Sequence, residues 1–305
     1  DQRLVRAGVD IDVPLLRVRV CGSDREVAHS VVVDVFEPQD RGSEVSASRP
    51  GEDLHRVPGE TGVEPGASAV GSGAVVQRRA DDQVVVAHDS DFMKLAGVNL
   101  KVWDATMQDV ADIDIGSWFG PEYAAERTPT LREVLEAARG KSKVLIELKY
   151  YGHDVDLENR VIGLVEELGM QNDVATMSLK YPAVQKMEKV RPDWRSGVLA
   201  ATAIGDLSGL EGEFVAVNAG MVTPGLIRKV QDAGKDIYVW TVNDPLQMSR
   251  MASMGVDGLI TDRPAMANEV LRVRAEMGPG ERLLLWLATT FGLQVDTEAM
   301  RDESP

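Results

Sequence analysis

The sequence predicts an α/β fold of the (β/α)8 TIM-type barrel class, on three observations. Short apolar runs of strand-forming residues alternate with amphipathic segments, in units of about twenty to thirty residues, over most of positions 84–276. No Gly-x-Gly-x-x-Gly follows a predicted strand, which disfavours a doubly wound dinucleotide-binding sheet, the other fold with this alternation. Because barrels gather catalytic groups beyond the carboxyl ends of their strands, polar residues at those positions favour the barrel. They are His88, Glu147, Lys149, Ser178, Asn218, Asn243 and Asp262.

The amino-acid composition limits the kinds of molecule that the chain is expected to bind. The 305-residue chain has 33 basic and 49 acidic residues, a formal net charge of −16. This charge argues against binding of nucleic acid and against docking on anionic lipid. A single cysteine, Cys21, excludes an internal disulfide and a zinc–cysteine site. No apolar run reaches the roughly eighteen residues of a transmembrane helix. Because the chain begins at Asp1 rather than Met, membrane attachment is expected only through an upstream region outside this sequence.

The first 79 residues are expected to be irregular or disordered. Strand-like runs at 13–20 and 31–36 have no clear period. Residues 38–73 are rich in glycine and proline and almost free of large apolar side chains, so a long loop or disorder is expected there. We therefore expect a barrel that is incomplete or irregular over about its first 75 residues.

The barrel domain is predicted to span residues 80–276, and a short helix with an acidic tail is predicted over 277–305. Thr130 and Glu133 form a capping box at the start of one helix. Proline in the first turn marks two later helices, which begin after Thr223 and Asp244. The predicted strands are 84–87, 144–148, 174–177, 197–200, 214–217, 237–242 and 258–260. The predicted helices are 131–138, 157–168, 183–190, 224–234, 245–255 and 264–276.

The strand at 144–148 carries the strongest signal for chemistry. Strand alternation places Glu147 and Lys149 on the same face, at the carboxyl end of this strand. Burying two opposite charges is costly unless they hold a ligand or metal or pair with each other, so a structural salt bridge and a functional site both remain open. In a functional site, Glu147 could bind a hard divalent cation and Lys149 could neutralise a phosphate oxygen.

Two other side chains are candidates for the same rim. His88 ends a buried strand and could act as a general acid or base, although a hydrogen-bonded structural role is commoner for such a histidine. Trp240 lies on one strand face with Tyr238 and Val242, where it could line a ligand pocket or pack in the core. These residues alone indicate a barrel hydrolase or lyase that acts on an anion.

A series of motifs occurs in order along the predicted barrel. They are Val-Val-Val-Ala-His-Asp at 84–89, Ile-Asp-Ile-Gly-Ser-Trp-Phe at 113–119, Thr-Pro-Thr-Leu-Arg-Glu-Val-Leu at 128–135, Ile-Glu-Leu-Lys at 146–149, Val-Trp-Thr-Val-Asn at 239–243 and Gly-Leu-Ile-Thr-Asp-Arg-Pro at 258–264. This series resembles the glycerophosphodiester phosphodiesterase family over roughly residues 75–275. The run at 147–154 is similar to bacterial members whose catalytic domain follows a membrane-embedded region, so this chain would be the soluble part of a membrane-anchored protein.

The resemblance implies a (β/α)8 barrel that hydrolyses glycerophosphodiesters to glycerol 3-phosphate and an alcohol, with Ca²⁺ or Mg²⁺ as cofactor. The family's second histidine matches His88, a metal ligand matches Glu147, and the phosphate-side lysine matches Lys149. Trp240 matches an aromatic residue near the glycerol. In the implied mechanism His88 protonates the leaving oxygen, while the cation and Lys149 offset charge on the phosphate. The implied partner is a small-molecule glycerophosphodiester.

Three of the family's functional side chains have no counterpart. Counting back from His88, the first catalytic histidine would lie near Ser46, and a Glu-x-Asp pair of metal ligands would lie near Gly73 and Val75. A family member without them is expected to be inactive. The alternative is therefore a non-catalytic barrel that binds a glycerol phosphate-like ligand or a protein partner. A weaker alternative is an unrelated barrel enzyme.

The abrupt loss of resemblance before Ala80 suggests a further hypothesis. The length of the preceding segment still fits the missing motifs, so residues 1–79 could be translated out of frame from an intact gene. The coding DNA tests this hypothesis, which fails if no alternative frame encodes His-Arg-Gly and Glu-x-Asp.

Overall fold

The structure is a computed structural model that describes residues 31–34, 70–124, 126–152, 156–202, 205–278 and 280–281. The predictions made for 13–20, for most of 38–73 and for the tail beyond 281 concern residues outside these ranges.

The strands are β1 (Val31–Asp34), β2 (Val70–Arg78), β3 (Val84–Val86), β4 (Asp91–Phe92), β5 (Val98–Lys101), β6 (Lys143–Leu148), β7 (Val174–Ser178), β8 (Arg195–Ala200), β9 (Phe214–Asn218), β10 (Asp236–Trp240) and β11 (Gly258–Thr261). The helices are α1 (Met93–Ala96), α2 (Met107–Val110), α3 (Leu131–Ala138), α4 (Leu157–Glu167), α5 (Tyr181–Val190), α6 (Pro224–Asp232), α7 (Pro245–Met254) and α8 (Pro264–Glu276).

Eight strands form a ring. Seven of them, β2 and β6 to β11, run parallel and pair in that order. The eighth strand, β1, lies between β11 and β2 and runs antiparallel to both. β3 pairs antiparallel with the second half of β2, outside the ring. The prediction of a TIM-type barrel that is irregular in its first part is therefore confirmed. β2 belongs to this ring although it precedes residue 80, where the predicted barrel domain begins.

The direction of β1 decides which rim its ends reach. Val31 pairs with Thr261 at the carboxyl end of β11, whereas Asp34 pairs with Gly258 at its amino end. The carboxyl end of β1 therefore lies at the rim opposite to the one that the carboxyl ends of the parallel strands share.

Local signals explain the regular part of the barrel. The hydroxyl of Thr130 accepts a hydrogen bond from the backbone N–H of Glu133, whose carboxylate accepts one from the N–H of Thr130, and this capping box starts α3 as predicted. Thr223 and Asp244 cap α6 and α7, each before a proline in the first turn. The stretch from β4 to α2 has no predicted counterpart, since its elements are only two to four residues long.

The core has two layers, one inside the ring and one between the ring and its helices. The inner layer contains Leu145, Met177, Leu199, Phe214, Ala216, Tyr238 and Ile260. Alternate residues of the same strands, such as Ile146 and Val215, face the helices and form the outer layer. Side chains two residues apart on a strand lie on the same face, so Glu147 points into the ring as Leu145 does. Within the described ranges, no helix is both long and apolar enough to cross a membrane.

Close packing inside the ring yields a stability prediction at Gly197 on β8. A Cβ atom at this position would lie 2.4 Å from the ring of Phe214, which is fully buried and packs 5.0 Å from the ring of Tyr238. Because that ring cannot move away freely, we expect Gly197→Ala to lower the free energy of unfolding by about 1–3 kcal/mol, measured by urea denaturation.

The matched control is Gly163→Ala in α4, where an added Cβ meets no atom within 4 Å. This substitution is expected to raise the free energy of unfolding by about 0.4–1 kcal/mol, because alanine loses less backbone entropy on entering a helix. Equal effects of the two substitutions would contradict the packing argument.

Candidate active site

The carboxyl ends of β3 and β6 bring three of the predicted site residues to one rim of the barrel. Glu147 is the fifth residue of β6 and is only 8% exposed. Lys149 follows β6, and its backbone N–H donates to the carbonyl of Val76 on β2 at 3.2 Å. The Nζ atom of Lys149 lies 3.0 Å from Nε2 of His88, which follows β3. Two segments that are 61 residues apart in the chain therefore meet at a single contact.

The imidazole ring of His88 is contacted at both nitrogens. Nε2 faces Lys149, and Nδ1 lies 2.7 Å from Oδ1 of the neighbouring Asp89. The side chains of His88 and Asp89 are 36% and 25% exposed, so both are reachable from solvent. The ring is thus held between a carboxylate and an ammonium at the mouth of the barrel.

The side chains of Gln77 and Tyr151 hold the backbone around His88 by hydrogen bonds. The amide of Gln77, which is 1% exposed on β2, donates to the carbonyls of Ala87 at 2.7 Å and Asp89 at 2.8 Å. The hydroxyl of Tyr151 donates to the carbonyl of His88 itself at 3.1 Å. Three hydrogen bonds over three consecutive residues fix the direction in which the histidine leaves the chain.

Aromatic rings shield the side of Lys149. Its Nζ atom lies 6.0 Å from the centre of the Tyr151 ring, which in turn packs 5.7 Å from the ring of Trp103. A cation at this distance from an aromatic ring is attracted by the ring quadrupole. The Tyr151 ring thus lies on one side of the Lys149 ammonium.

Burial shifts the protonation of the two charged residues in opposite directions. Desolvation raises the pKa of the Glu147 carboxyl, and the charges of Lys149 and His88 counteract this rise. Desolvation lowers the pKa of the Lys149 ammonium, and the charges of Glu147 and Asp89 counteract this fall. Each charge therefore helps to keep the other ionised in a partly dry environment.

Trp240 belongs to the barrel interior rather than to the His88 contact. Its indole N–H donates to the carbonyl of Ala216 on β9 at 3.1 Å, and its ring packs against the inner layer while staying half-buried. This hydrogen bond gives it a packing role, and its contact with a ligand stays a prediction.

The other polar residues at strand ends stabilise local structure. Asn243 donates to the carboxylate of Asp262 at 2.7 Å and accepts from the hydroxyl of Thr261 at 3.0 Å. Asn218 accepts from the N–H of Gly220 at the start of a short turn, and Ser178 donates to the carbonyl of Leu148. These contacts account for their position at the rim without a ligand.

Sequence reasoning missed the residues that support His88. Asp89 stood next to His88 in the quoted motif, but nothing in the pattern indicated that its carboxylate turns back onto the ring. Gln77 and Tyr151 act through backbone carbonyls, which carry no sequence signature. The only available signal was alternation, since Tyr151 lies two residues beyond Lys149 and four beyond Glu147.

Residues 75–266 match the glycerophosphoryl diester phosphodiesterase family. This match covers more than half of the chain. The chain belongs to this family. The predicted resemblance is thereby confirmed, and the match begins on β2 and ends in α8.

Individual relatives agree with the family match. The Bacillus subtilis protein YhdW is 30% identical over 196 residues, which cover 62% of this chain and 81% of YhdW. A glycerophosphodiester phosphodiesterase of Caldanaerobacter subterraneus is 28% identical over 207 residues, 65% of this chain and 84% of the relative.

Solved structures support the fold. A glycerophosphodiester phosphodiesterase from Agrobacterium tumefaciens superposes with a TM-score of 0.57 at 25% identity, over 65% of this chain and 85% of that one. A phosphodiesterase from Oleispira antarctica, solved with its product sn-glycerol-3-phosphate, superposes with a TM-score of 0.59 at 20% identity, over 66% of this chain and 84% of that one.

The donor set of this chain does not match the divalent metal that the family implies. Val75 is the register partner of Glu147 on the neighbouring strand, and Gly73 is the partner of Leu145, so the two expected carboxylate positions hold a valine and a glycine. In the part of the chain that the structure describes, no group of three or more His, Cys, Asp or Glu side chains could hold a metal ion. One buried carboxylate does not supply the several oxygen ligands that Ca²⁺ or Mg²⁺ requires.

The opposing pKa shifts give a prediction for stability against pH. The folded-state pKa of Glu147 is raised above its ordinary value of 4.5, so ionising Glu147 destabilises the fold as the pH rises from that value to the folded-state pKa. Lys149 limits this rise. We therefore expect Lys149→Met to raise the pKa of Glu147 further, so that the stability lost by this variant relative to the unmodified chain grows as the pH rises above 4.5.

Urea denaturation at several pH values checks this prediction. The matched control is Lys143→Met, which removes an exposed lysine from the first position of the same strand and should give a difference that does not change with pH. A flat difference for Lys149→Met would show that Glu147 does not depend on this ammonium.

Proposed function

We propose that this chain is a phosphoric diester hydrolase that releases glycerol 3-phosphate and an alcohol from glycerophosphodiesters. Membership of the glycerophosphoryl diester phosphodiesterase family supports the reaction class. The observation that carries the proposal to particular residues is the 3.0 Å contact between Lys149 and His88, which places an anion-binding group and a proton donor beside each other at the carboxyl rim.

Each of the four predicted residues takes a role in this proposal. Lys149 binds a phosphate oxygen through its ammonium. His88 gives a proton to the leaving alcohol oxygen as the bond between phosphorus and that oxygen breaks. Glu147 keeps Lys149 charged, since its carboxylate counteracts the lowering of the Lys149 pKa. Trp240 contacts the glycerol from the interior side of the rim.

Among the functional groups that the family implies, the divalent metal fits the residues of this chain least well. Glu147 is the residue that would bind Ca²⁺ or Mg²⁺, and as a single carboxylate it supports only weak binding. We therefore propose that added metal has a small effect on this chain and that turnover is slow compared with family members that hold three carboxylates.

The first test is hydrolysis of glycerophosphocholine by the purified chain, followed as release of glycerol 3-phosphate. His88→Ala is expected to lower kcat by about 10²–10⁴-fold, because it removes the proton donor. Lys149→Met is expected to raise KM as well as lower kcat, because the phosphate loses its counter-charge. Lys143→Met, an exposed lysine away from the rim, serves as the control and should leave both constants unchanged.

The outcome of this assay separates the two functions inferred from the sequence. Turnover that His88→Ala abolishes supports hydrolysis. A folded chain without turnover, beside an active family member assayed in parallel, would contradict hydrolysis and leave only ligand binding.

A second test restores the missing carboxylates. In the double substitution Gly73→Glu and Val75→Asp, the new Asp becomes the register partner of Glu147 on the adjacent strand. We expect Ca²⁺ or Mg²⁺ affinity, measured by calorimetry, to rise at least about tenfold, because several carboxylate oxygens now converge. Turnover should increase and become sensitive to EDTA.

The control for this test adds Glu147→Gln to the double variant, which should remove the gain in metal affinity. A gain that survives Glu147→Gln would mean that the new carboxylates bind metal elsewhere. Absence of any gain would show that β2 and β6 do not present these positions to a common site.

A further inference from the structure

The contacts of His88 restrict where its protons can lie. A carboxylate only accepts hydrogen bonds, so the 2.7 Å contact with Asp89 requires a proton on Nδ1. The 3.0 Å contact with Lys149 is satisfied either by a charged lysine donating to bare Nε2, or by a protonated Nε2 donating to a neutral lysine. Both arrangements contain the same number of protons, and both keep Nδ1 protonated.

We propose that Asp89 is a positioning residue that holds His88 in the Nδ1–H form and directs Nε2 to the substrate. The inference rests on the proposed hydrolysis for its kinetic consequence but not for the tautomer itself. A contact between adjacent exposed residues ordinarily contributes little. Here the backbone on both sides is fixed, since Gln77 binds the carbonyls of Ala87 and Asp89 and Tyr151 binds that of His88.

The reaction explains why a carboxylate is needed at Nδ1. To act as an acid, His88 must carry a second proton on Nε2. Beside a charged Lys149 this proton ends their hydrogen bond and leaves two cations next to each other. The negative charge of Asp89 offsets that repulsion. As the oxygen of a water molecule forms a bond to phosphorus and releases a proton to solvent, the bond between phosphorus and the leaving oxygen breaks and the Nε2 proton moves to the leaving oxygen. The ring is left neutral, with Nδ1–H still donating to Asp89.

The experiment measures the tautomer directly, by long-range ¹H–¹⁵N NMR of the full chain labelled on histidine. The chain has four histidines, and His88→Gln identifies the signals of His88 by their loss. At about pH 8.5, where an ordinary histidine is neutral, the unmodified chain is expected to show His88 protonated at Nδ1. In the Lys149→Met background no ammonium faces Nε2, so Asp89 alone should keep the Nδ1–H form there, and adding Asp89→Ala should shift His88 toward the Nε2–H form.

Asp89→Asn separates geometry from charge. Its side-chain carbonyl can still accept from Nδ1–H, so the tautomer should persist, while kcat falls at least about tenfold and KM changes less than about threefold. The control is Asp91→Asn, which removes a carboxylate on β4 that pairs with Lys101 on β5 and should change neither the NMR signals of His88 nor kcat.

Two results would overturn the proposal. One is His88 protonated only at Nε2 in the unmodified chain, and the other is a tautomer that Asp89→Ala leaves unchanged in the Lys149→Met background. Circular dichroism shows whether each variant is folded, and Asp89→Asn keeps the kinetic test open if Asp89→Ala unfolds. Absence of turnover in the unmodified chain would count against hydrolysis alone, because the NMR result decides the role of Asp89 independently.

Discussion

A carboxylate and an ammonium share the carboxyl end of β6, and much of the rim is arranged around the difficulty of keeping both charged there. Burial acts against the ionised form of each residue, and each counteracts the effect on the other. Neither can be replaced alone without leaving an uncompensated buried charge, which is far more costly than the pair itself is worth. Lys149 also contacts His88 through its Nζ atom and lies near the Tyr151 ring. Both contacts help to stabilise the ammonium group.

This constraint explains why the site survives in a chain that has lost part of its family's donor set. The Glu147 carboxylate and the Lys149 ammonium each favour the charged form of the other, so Glu147 has an electrostatic role besides any contact with a ligand. The neighbouring strand has no such coupling, and at its corresponding position the chain carries Val75. The candidate site is therefore one-sided: charged residues lie at the ends of β3 and β6, whereas the register partners of Leu145 and Glu147 on β2 are Gly73 and Val75.

The sequence predicts the regular part of the fold well because its signals are local and strong. Helices α3, α6 and α7 begin where Thr130, Thr223 and Asp244 place their caps, and strands β6 to β11 read as buried apolar runs. The direction of β1 could not be predicted, because it depends on pairing with β11 and β2 rather than on any property of four residues. At the site, residue type was enough to select Glu147, Lys149 and His88. It was not enough for Gln77, whose partners are main-chain carbonyls.

The antiparallel strand between β11 and β2 separates two properties that a regular barrel joins in one element. Its pairing is made by backbone groups, so closing the ring places little demand on which side chains the strand carries. Whether a strand can contribute to an active site, in contrast, depends on its side chains and on the rim at which it ends. A barrel of this kind can retain an unbroken sheet while the sequence at one position of the ring changes freely. Closure of the sheet and placement of chemical groups therefore make separate demands on the sequence at this position of the ring.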